Sequence, residues 1–333
     1  MGYVTIKDIA LSVGISVGAV SQIMHNKGRF SEATKKQVFQ IADELGYIPD
    51  ERARSMRMLD RHKIVGILTP DLRNPYFAEL ISKMEEDLNG LNISSLIGTS
   101  SESSKKQKMF LANLLGQRID GALIIPQGNN AKDFNLLIQS GLPFVFVDRR
   151  ISKLSKVPAV LSDPRPGLSD ALKHLAKCGH QKVAFISHRC LESETVNARE
   201  HAFVELSSKM NKGRYSVINA CRKHSYEELY AQLVKKNISA VICAYSPDAI
   251  ELIRVIHQNG MLVGDKMSLI SFDSIPVFEQ MSPSVAVIDQ QIGKIAKAGV
   301  AMMYKLITGE HLEENIVYVP TVYCARESVG LYQ

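Results

Sequence analysis

Paired cysteines, long apolar runs and short catalytic motifs are what this 333-residue sequence lacks. Its five cysteines, Cys178, Cys190, Cys221, Cys243 and Cys324, are odd in number, and no two have C-x-x-C spacing. That argues against a disulfide framework and a thiolate zinc site, and it fits a reducing cytosol. No stretch approaches the ~18 uninterrupted apolar residues of a membrane span. The opening MGYVTIKDIA has no apolar export-signal core, so a cytoplasmic protein with no membrane partner is expected. There is no G-x-x-x-x-G-K-[ST], no G-x-G-x-x-G and no H-E-x-x-H, the motifs that cradle phosphates, dinucleotides and zinc. Gly14-Ile15-Ser16-Val17-Gly18 fits G-x-S-x-G, but it lies between two helical patterns, whereas a nucleophile elbow needs a strand-to-helix turn. The nine histidines form no ligand-spaced pair, and His188 and His201 read as surface or supporting residues ahead of general bases. No cofactor, metal or enzymatic activity is expected.

What is present is an ordinary globular composition, 45% apolar and 22% charged, long enough for two or three units of ~100–200 residues. The net charge is +6, which suits a polyanionic partner without proving one. Residues 1–63 hold ten Lys/Arg against seven acids, a net of +3. A case for DNA must therefore rest on arrangement.

The first 60 residues show helical periodicity and no strand signal. Thr5 and Asp8 have capping-box spacing before a helix whose inner face is Ile6, Ile9, Ala10 and Val13. Gly14 suits a left-handed stop. Ser16 caps a second helix to about His25, with Val20, Ile23 and Met24 inward. Ser31 caps a third, with Val38, Ile41, Ala42 and Leu45 apolar, before Gly46 and Pro49 end it. Two short helices joined by a Gly-containing turn form a helix-turn-helix signature. Val17, Gly18, Ser21 and Gln22 are then accessible for base edges. Gln22 can pair with adenine, Val17 can touch a thymine methyl, and Thr5, Ser16 and Ser21 can hold phosphates. The bland alternative is a three-helix domain whose polar residues are merely solvated.

From Lys63, β-branched apolar runs alternate with amphipathic stretches, the rhythm of doubly wound parallel sheets. About 270 residues exceed one small sheet of this kind, so two lobes with a ligand cleft at their strand ends are expected. The fold class is an all-α helix-turn-helix head plus an α/β body of two doubly wound lobes.

Residues 4–57, VTIKDIALSVGISVGAVSQIMHNKGRFSEATKKQVFQIADELGYIPDERARSMR, closely resemble the head of lactose/galactose repressor (LacI/GalR) family regulators. The similarity continues through Ile64-Val-Gly-Ile-Leu, Asn74-Pro-Tyr-Phe-Ala-Glu-Leu, Asp120-Gly-Ala-Leu-Ile-Ile-Pro, Val147-Asp-Arg, Gly179-His-Gln-Lys-Val-Ala-Phe-Ile and Ser271-Phe-Asp. It implies a helix-turn-helix domain at 1–49, a hinge helix or linker at 50–62 and a ligand-binding, dimerising body at 63–333. The body resembles periplasmic sugar-binding proteins, with lobe 1 about 63–161 and 290–320 and lobe 2 about 162–289 and 321–333. Crossovers are expected near Leu161, Asp289 and Thr321.

The resemblance further implies a homodimeric repressor whose affinity for double-stranded operator DNA is set by a small-molecule effector. Arg29, Arg54, Met56 and Arg57 join the DNA contacts, with Met56, where the family usually has Leu, as a wedge in the minor groove. The alternative for the hinge is a flexible basic linker. Gln22 stands where the family often has Arg, which suggests a different operator. In the cleft, Tyr76 and Phe77 match aromatic ligand positions, with core packing the alternative. Asp148, Arg149, Asp163, Thr195, Arg199 and Asp273 match polar ones, with a surface arginine the alternative for Arg199. Tyr245-Ser246 replaces the usual Asn-Asp, so a sugar-holding carboxylate is absent at Ser246. With Arg149, Arg165 and Arg199 near, an anionic sugar derivative becomes a candidate effector. Residues Arg326–Gln333 carry no heptads for a tetramer. The rival class is a soluble solute-binding protein, which has no need of residues 1–60.

Overall fold

The structure is a computed structural model that describes residues 4–24, 27–47, 63–188, 192–210, 214–220 and 225–332. The chain divides into two compact units, Met1–His62 and Lys63–Gln333.

In the first unit, α1 (Ile6–Val13), α2 (Val17–Met24) and α3 (Glu32–Glu44) form where caps and periodicity direct them. The backbone N–H and hydroxyl of Thr5 both donate to the Asp8 carboxylate at 2.7 Å. These bonds hold the Asp8 carboxyl below its usual range. Gly14 ends α1 at φ 77°, a conformation strained for any side chain but glycine's, and the chain bends by 108° into α2. Ser16 Oγ accepts the Ala19 N–H at 3.1 Å, and Ser31 Oγ accepts that of Thr34 at 3.1 Å. Ile9, Ala10, Val20, Ile23, Val38 and Ala42 are buried together, with Ile6, Val13, Met24 and Ile41 packed on them. At ~1.5–3 kcal/mol per buried aliphatic side chain, so small a core has little reserve. Leu45, expected as an apolar helix position, is instead the C-cap of α3 and is exposed.

The second unit holds two six-stranded sheets. The first contains β1 (Lys63–Thr69), β2 (Ile93–Thr99), β3 (Gly121–Ile124), β4 (Phe144–Val147), β5 (Ala159–Asp163) and β11 (Ile316–Pro320). The second contains β6 (Lys182–Ser187), β7 (Arg214–Asn219), β8 (Ala240–Cys243), β9 (Ser268–Phe272), β10 (Ala286–Asp289) and β12 (Val322–Cys324). Their orders, β11-β5-β4-β3-β1-β2 and β12-β10-β9-β8-β6-β7, are equivalent. Pairing is parallel except that β12 runs antiparallel to β10. The helices are α4 (Pro75–Gly90), α5 (Ser104–Gly116), α6 (Asn135–Ser140), α7 (Arg165–Lys177), α8 (Glu194–Ser208), α9 (Tyr226–Lys235), α10 (Ser246–Gln258), α11 (Pro276–Gln280) and α12 (Ile292–Thr308). Central strands such as β4 and β9 are buried at every residue, as expected of parallel strands covered by helices on both faces.

The chain passes between lobes after β5, after β10 and between β11 and β12. The first crossing comes two residues later than Leu161, because Pro320 pairs with Asp163 and extends β5. The crossings are tied together: Ser162 Oγ donates to Gln290 Oε1 at 2.5 Å, and Thr321 Oγ1 donates to the Asp163 carbonyl at 2.9 Å. The edge strands β7 and β12 were not anticipated from the sequence. Each is only partly buried and lacks a continuous apolar run.

Candidate DNA-reading surface and effector cleft

The opening of α2 turns one face inward and leaves the other bare. Val20 and Ile23 are buried, Val17, Gly18 and Gln22 are exposed, and Ser21 is half-buried. This follows from helical spacing once Val20 and Ile23 anchor the helix against α1 and α3. The loop that follows passes close to the Gln22 side chain. Gly28 has φ +81°, and a Cβ there would stand 2.9 Å from Gln22 Oε1 and 2.7 Å from the Phe30 ring. Ser16 sits at the N-terminal end of α2, where its hydroxyl proton is free to donate while its oxygen accepts from Ala19. The Thr5 hydroxyl donates to Asp8 at 2.7 Å, so its proton is engaged beside a negative charge. Arg29 is exposed. Arg54, Met56 and Arg57 lie outside the described residues.

In the body, residues just past the carboxyl ends of strands converge on one cleft between the lobes. Lobe 1 contributes Asn74, Tyr76, Phe77, Asp148 and Arg149. Lobe 2 contributes Ser193, Thr195, Val196, Arg199, Tyr245 and Asp273. Asp148 follows β4 and Asp273 follows β9, equivalent strands of the two sheets, and both adopt left-handed backbone (φ 64° and 71°). Non-glycine residues held in that region cluster at functional sites.

The Tyr76 hydroxyl donates to Asp148 Oδ1 at 2.7 Å, and Arg149 Nε stands 3.4 Å from Asp148 Oδ2. The Arg149 guanidinium lies over the Phe77 ring, 5.1 Å from its centroid. Arg199 lies over Phe272 at 4.4 Å, donates to the Ala244 carbonyl at 2.5 Å and pairs with Asp273 Oδ1 at 3.4 Å. Asp273 also accepts from Gln290 at 2.6 Å and from Ser246 at 3.2 Å. Across the cleft mouth, Thr195 Oγ1 donates to the Asp148 carbonyl at 2.6 Å, and Arg150 Nε to Glu194 at 3.0 Å. The enclosed space is about 10 Å³, room for about one water, so an effector enters only as the walls part.

Burial sets the electrostatics. It pushes the Asp273 carboxyl up, against the lowering pull of Arg199. It also raises the Tyr76 phenol, with Asp148 adding to the effect, so Tyr76 remains a proton donor. The Tyr245 phenol is raised by burial as well, with Arg149 opposing.

The structure brings Tyr76, Phe77, Arg149, Thr195, Arg199 and Asp273 together. Tyr76 and Phe77 serve both readings, because they line the cleft and are also packed in the core. Arg199 is buried, not a surface arginine. Ser246 is fully buried behind the wall and steadies Asp273. Asp163 does not line the cleft: it ends β5 and pairs with Arg165, which is itself exposed and also pairs with Glu205. Arg165 therefore adds no charge to the cleft. Asn74 and Ser193 were not singled out from the sequence. Their signal is position alone, since both immediately precede helices, Asn74 after β1 and Ser193 ahead of α8. Tyr245, noted only as a departure, is part of the wall. His188, expected at the surface or in support, is largely buried against Asp248 at 3.0 Å and packs edge-on to Tyr245.

Residues 5–50 match the family described as bacterial regulatory proteins, lacI family, and residues 172–329 match the periplasmic binding protein-like domain. The chain is 26% identical over 336 residues to a probable HTH-type transcriptional regulator, EndR, of Paenibacillus polymyxa, covering 98% of each. It is 28% identical over 339 residues to the HTH-type transcriptional repressor PurR of Aliivibrio salmonicida, again covering 98% of each. Among solved structures, the Lac repressor dimer bound to operator and an anti-inducer superposes with a TM-score of 0.79 at 20% identity, covering 98% of this chain and 99% of that one.

Proposed function

The chain belongs to the lacI family of bacterial regulatory proteins and is a DNA-binding transcription regulator, and from this premise we propose a homodimeric repressor controlled by a small effector in the interlobe cleft. Two heads read a pseudo-palindrome with half-sites about one helical turn apart. The observation that carries this is the bare face of α2, with Val17, Gly18 and Gln22 outward over a closed core. Base contacts come from Gln22 and Val17, and backbone contacts from Ser16, Ser21 and Arg29, with Arg54, Met56 and Arg57 completing the set on the strength of the family resemblance. The effector is a sugar or sugar derivative. Related folds have been solved with ribose and with cellobiose, and the cleft here carries the aromatic and polar lining such ligands use. Binding shifts the balance between lobe arrangements of different operator affinity. No catalytic step is needed, because a sensor works through differential affinity.

The test is a gel shift of the full chain against its own upstream region, beside a chain lacking residues 1–60. The full chain should retard a specific duplex and the shortened one should not. Equal behaviour of the two would favour the solute-binding alternative.

A further inference from the structure

We propose that the effector carries an oxyanion, a carboxylate or a phosphate, that docks between Arg149 and Arg199; this rests on the reading of the cleft as the effector site. The argument turns on what the cleft leaves unused. Among the described residues, six buried side-chain atoms make no hydrogen bond, and Thr69 Oγ1 and Ser216 Oγ are the two outside the cleft; the others are Ser193 Oγ, Arg199 Nε, Arg149 Nε, which has only the ion-pair contact to Asp148 Oδ2 at 3.4 Å, and Asn74 Nδ2, which has only the Tyr245 phenol beside it. All four residues line this one cleft, one side from each lobe. Buried polar groups are seldom left unsatisfied, because nothing then compensates the water they have lost. Their concentration in a single cleft marks the place of a missing partner.

That partner must be rich in acceptors. Three of the four idle atoms are nitrogens that only donate, and the fourth is a hydroxyl that can donate. Most acceptors of the wall already receive a hydrogen bond within the protein; Asp148 Oδ2, beside Arg149 Nε at 3.4 Å, does not. Asp148 Oδ1 accepts from Tyr76 and its carbonyl from Thr195. Asp273 Oδ1 accepts from Gln290 and its Oδ2 from Ser246, and the Ala244 carbonyl accepts from Arg199. Every hydroxyl of a neutral ligand brings a proton that needs an acceptor of its own, whereas an oxyanion brings lone pairs alone. Both guanidiniums lie over aromatic rings, Phe77 and Phe272, which restricts where their forks point before binding. Asp148 and Asp273 balance the two positive charges, so selection comes from directed donors and not from bulk charge. Desolvation of Asp273, which weakens its ionised form, tips the balance further toward an anion.

Isothermal calorimetry of the full chain decides the matter, with gluconate and ribose 5-phosphate set against glucose and ribose. At least one anion should bind ~10–100-fold more tightly than its neutral counterpart, the range expected of charge-assisted bonds. Which anion binds tells carboxylate from phosphate. Arg149→Lys and Arg199→Lys keep the charge and lose the forked Nε–H; each should weaken the anion about tenfold or more. Thermal melting checks that each variant folds. Should Arg199→Lys fail to fold, Arg149→Lys, at the cleft wall, is decisive alone. A neutral sugar binding as tightly as its acid or phosphate, inert anions, or variants that bind anions as the parent does would overturn the proposal. The gel shift separates the two readings: specific DNA binding with a cleft indifferent to anions sinks this inference alone, and failure to bind DNA sinks the regulator reading whatever the cleft binds.

Discussion

Gln22 and His180 show how much one side chain can decide. Gln22 is exposed at the reading end of α2, where an amide can bond adenine through two atoms. Gln22→Ala should flatten the preference at one operator position by ~1–3 kcal/mol and leave non-specific affinity intact. Competition between single-base operator variants measures this, and unchanged discrimination would move the reading residue elsewhere. His180 is buried among Ser239, Ser268 and the Gly330 carbonyl, with ring-nitrogen contacts of 3.1, 2.9 and 3.0 Å. Burial, the largest cause, lowers its pKa from the usual 6.5. The folded ring therefore resists protonation, while the unfolded chain takes up a proton as the pH falls through 6.5. The stability tied to His180 is present above that pH and declines below it, toward the depressed folded value. His180→Asn should flatten the fall of the melting temperature on acidification from about pH 7 to pH 5. Parallel melting curves for the two proteins would show that the ring plays no such part.

Among the elements, α8 governs the cleft. Its first turns carry Thr195, Val196 and Arg199 into the wall, and Glu194 reaches back across the mouth to Arg150. That ion pair is mostly buried, with side chains 24% and 29% exposed, yet open enough for solvent to screen it, so its net worth is at most ~1 kcal/mol. Glu194→Gln should barely change global stability in urea but should favour separated lobes, read as a larger radius of gyration in X-ray scattering. An unaltered scattering profile would mean that Thr195 and the crossing strands hold the lobes without the pair. The cleft was readable in part from the chain. Rules about strand ends pointed to a cleft, and the family pattern to Tyr76, Phe77, Asp148, Arg149, Thr195, Arg199 and Asp273 within it. Asp163 was misplaced because the register of β5 against β11 depends on residues more than 150 positions apart. Local pattern holds no information on such a pairing.

For the whole molecule, the division into two units has a direct consequence. The head core is small and the body core large, so they should fail separately. Val38 is fully buried in the head, and Val38→Ala should destabilise that unit by ~2 kcal/mol through lost contacts and a cavity. Operator affinity should drop while calorimetric binding in the cleft is retained. Loss of both together would show that the units fold as one. The same division lets coupling be reciprocal: whatever factor the effector imposes on operator affinity, operator must impose on effector affinity.

The chain's own order of residues was enough to specify most of the elements and their kinds, the edge strands β7 and β12 excepted. Caps at Thr5, Ser16 and Ser31, the left-handed stop at Gly14, and periods of 3.6 or of unbroken β-branched runs act over a few neighbours, and local sterics and hydrogen bonding carry them out. Tertiary structure alone decided which side chains meet. The stacking of Arg149 on Phe77 and of Arg199 on Phe272, the burial of Ser246 behind Asp273, the removal of Arg165 to a surface pair and the cluster of idle donors all depend on two lobes closing over one another. Those contacts join residues tens to hundreds of positions apart. Their energies come from exclusion of water and fixed geometry, which exist only once the sheets have formed.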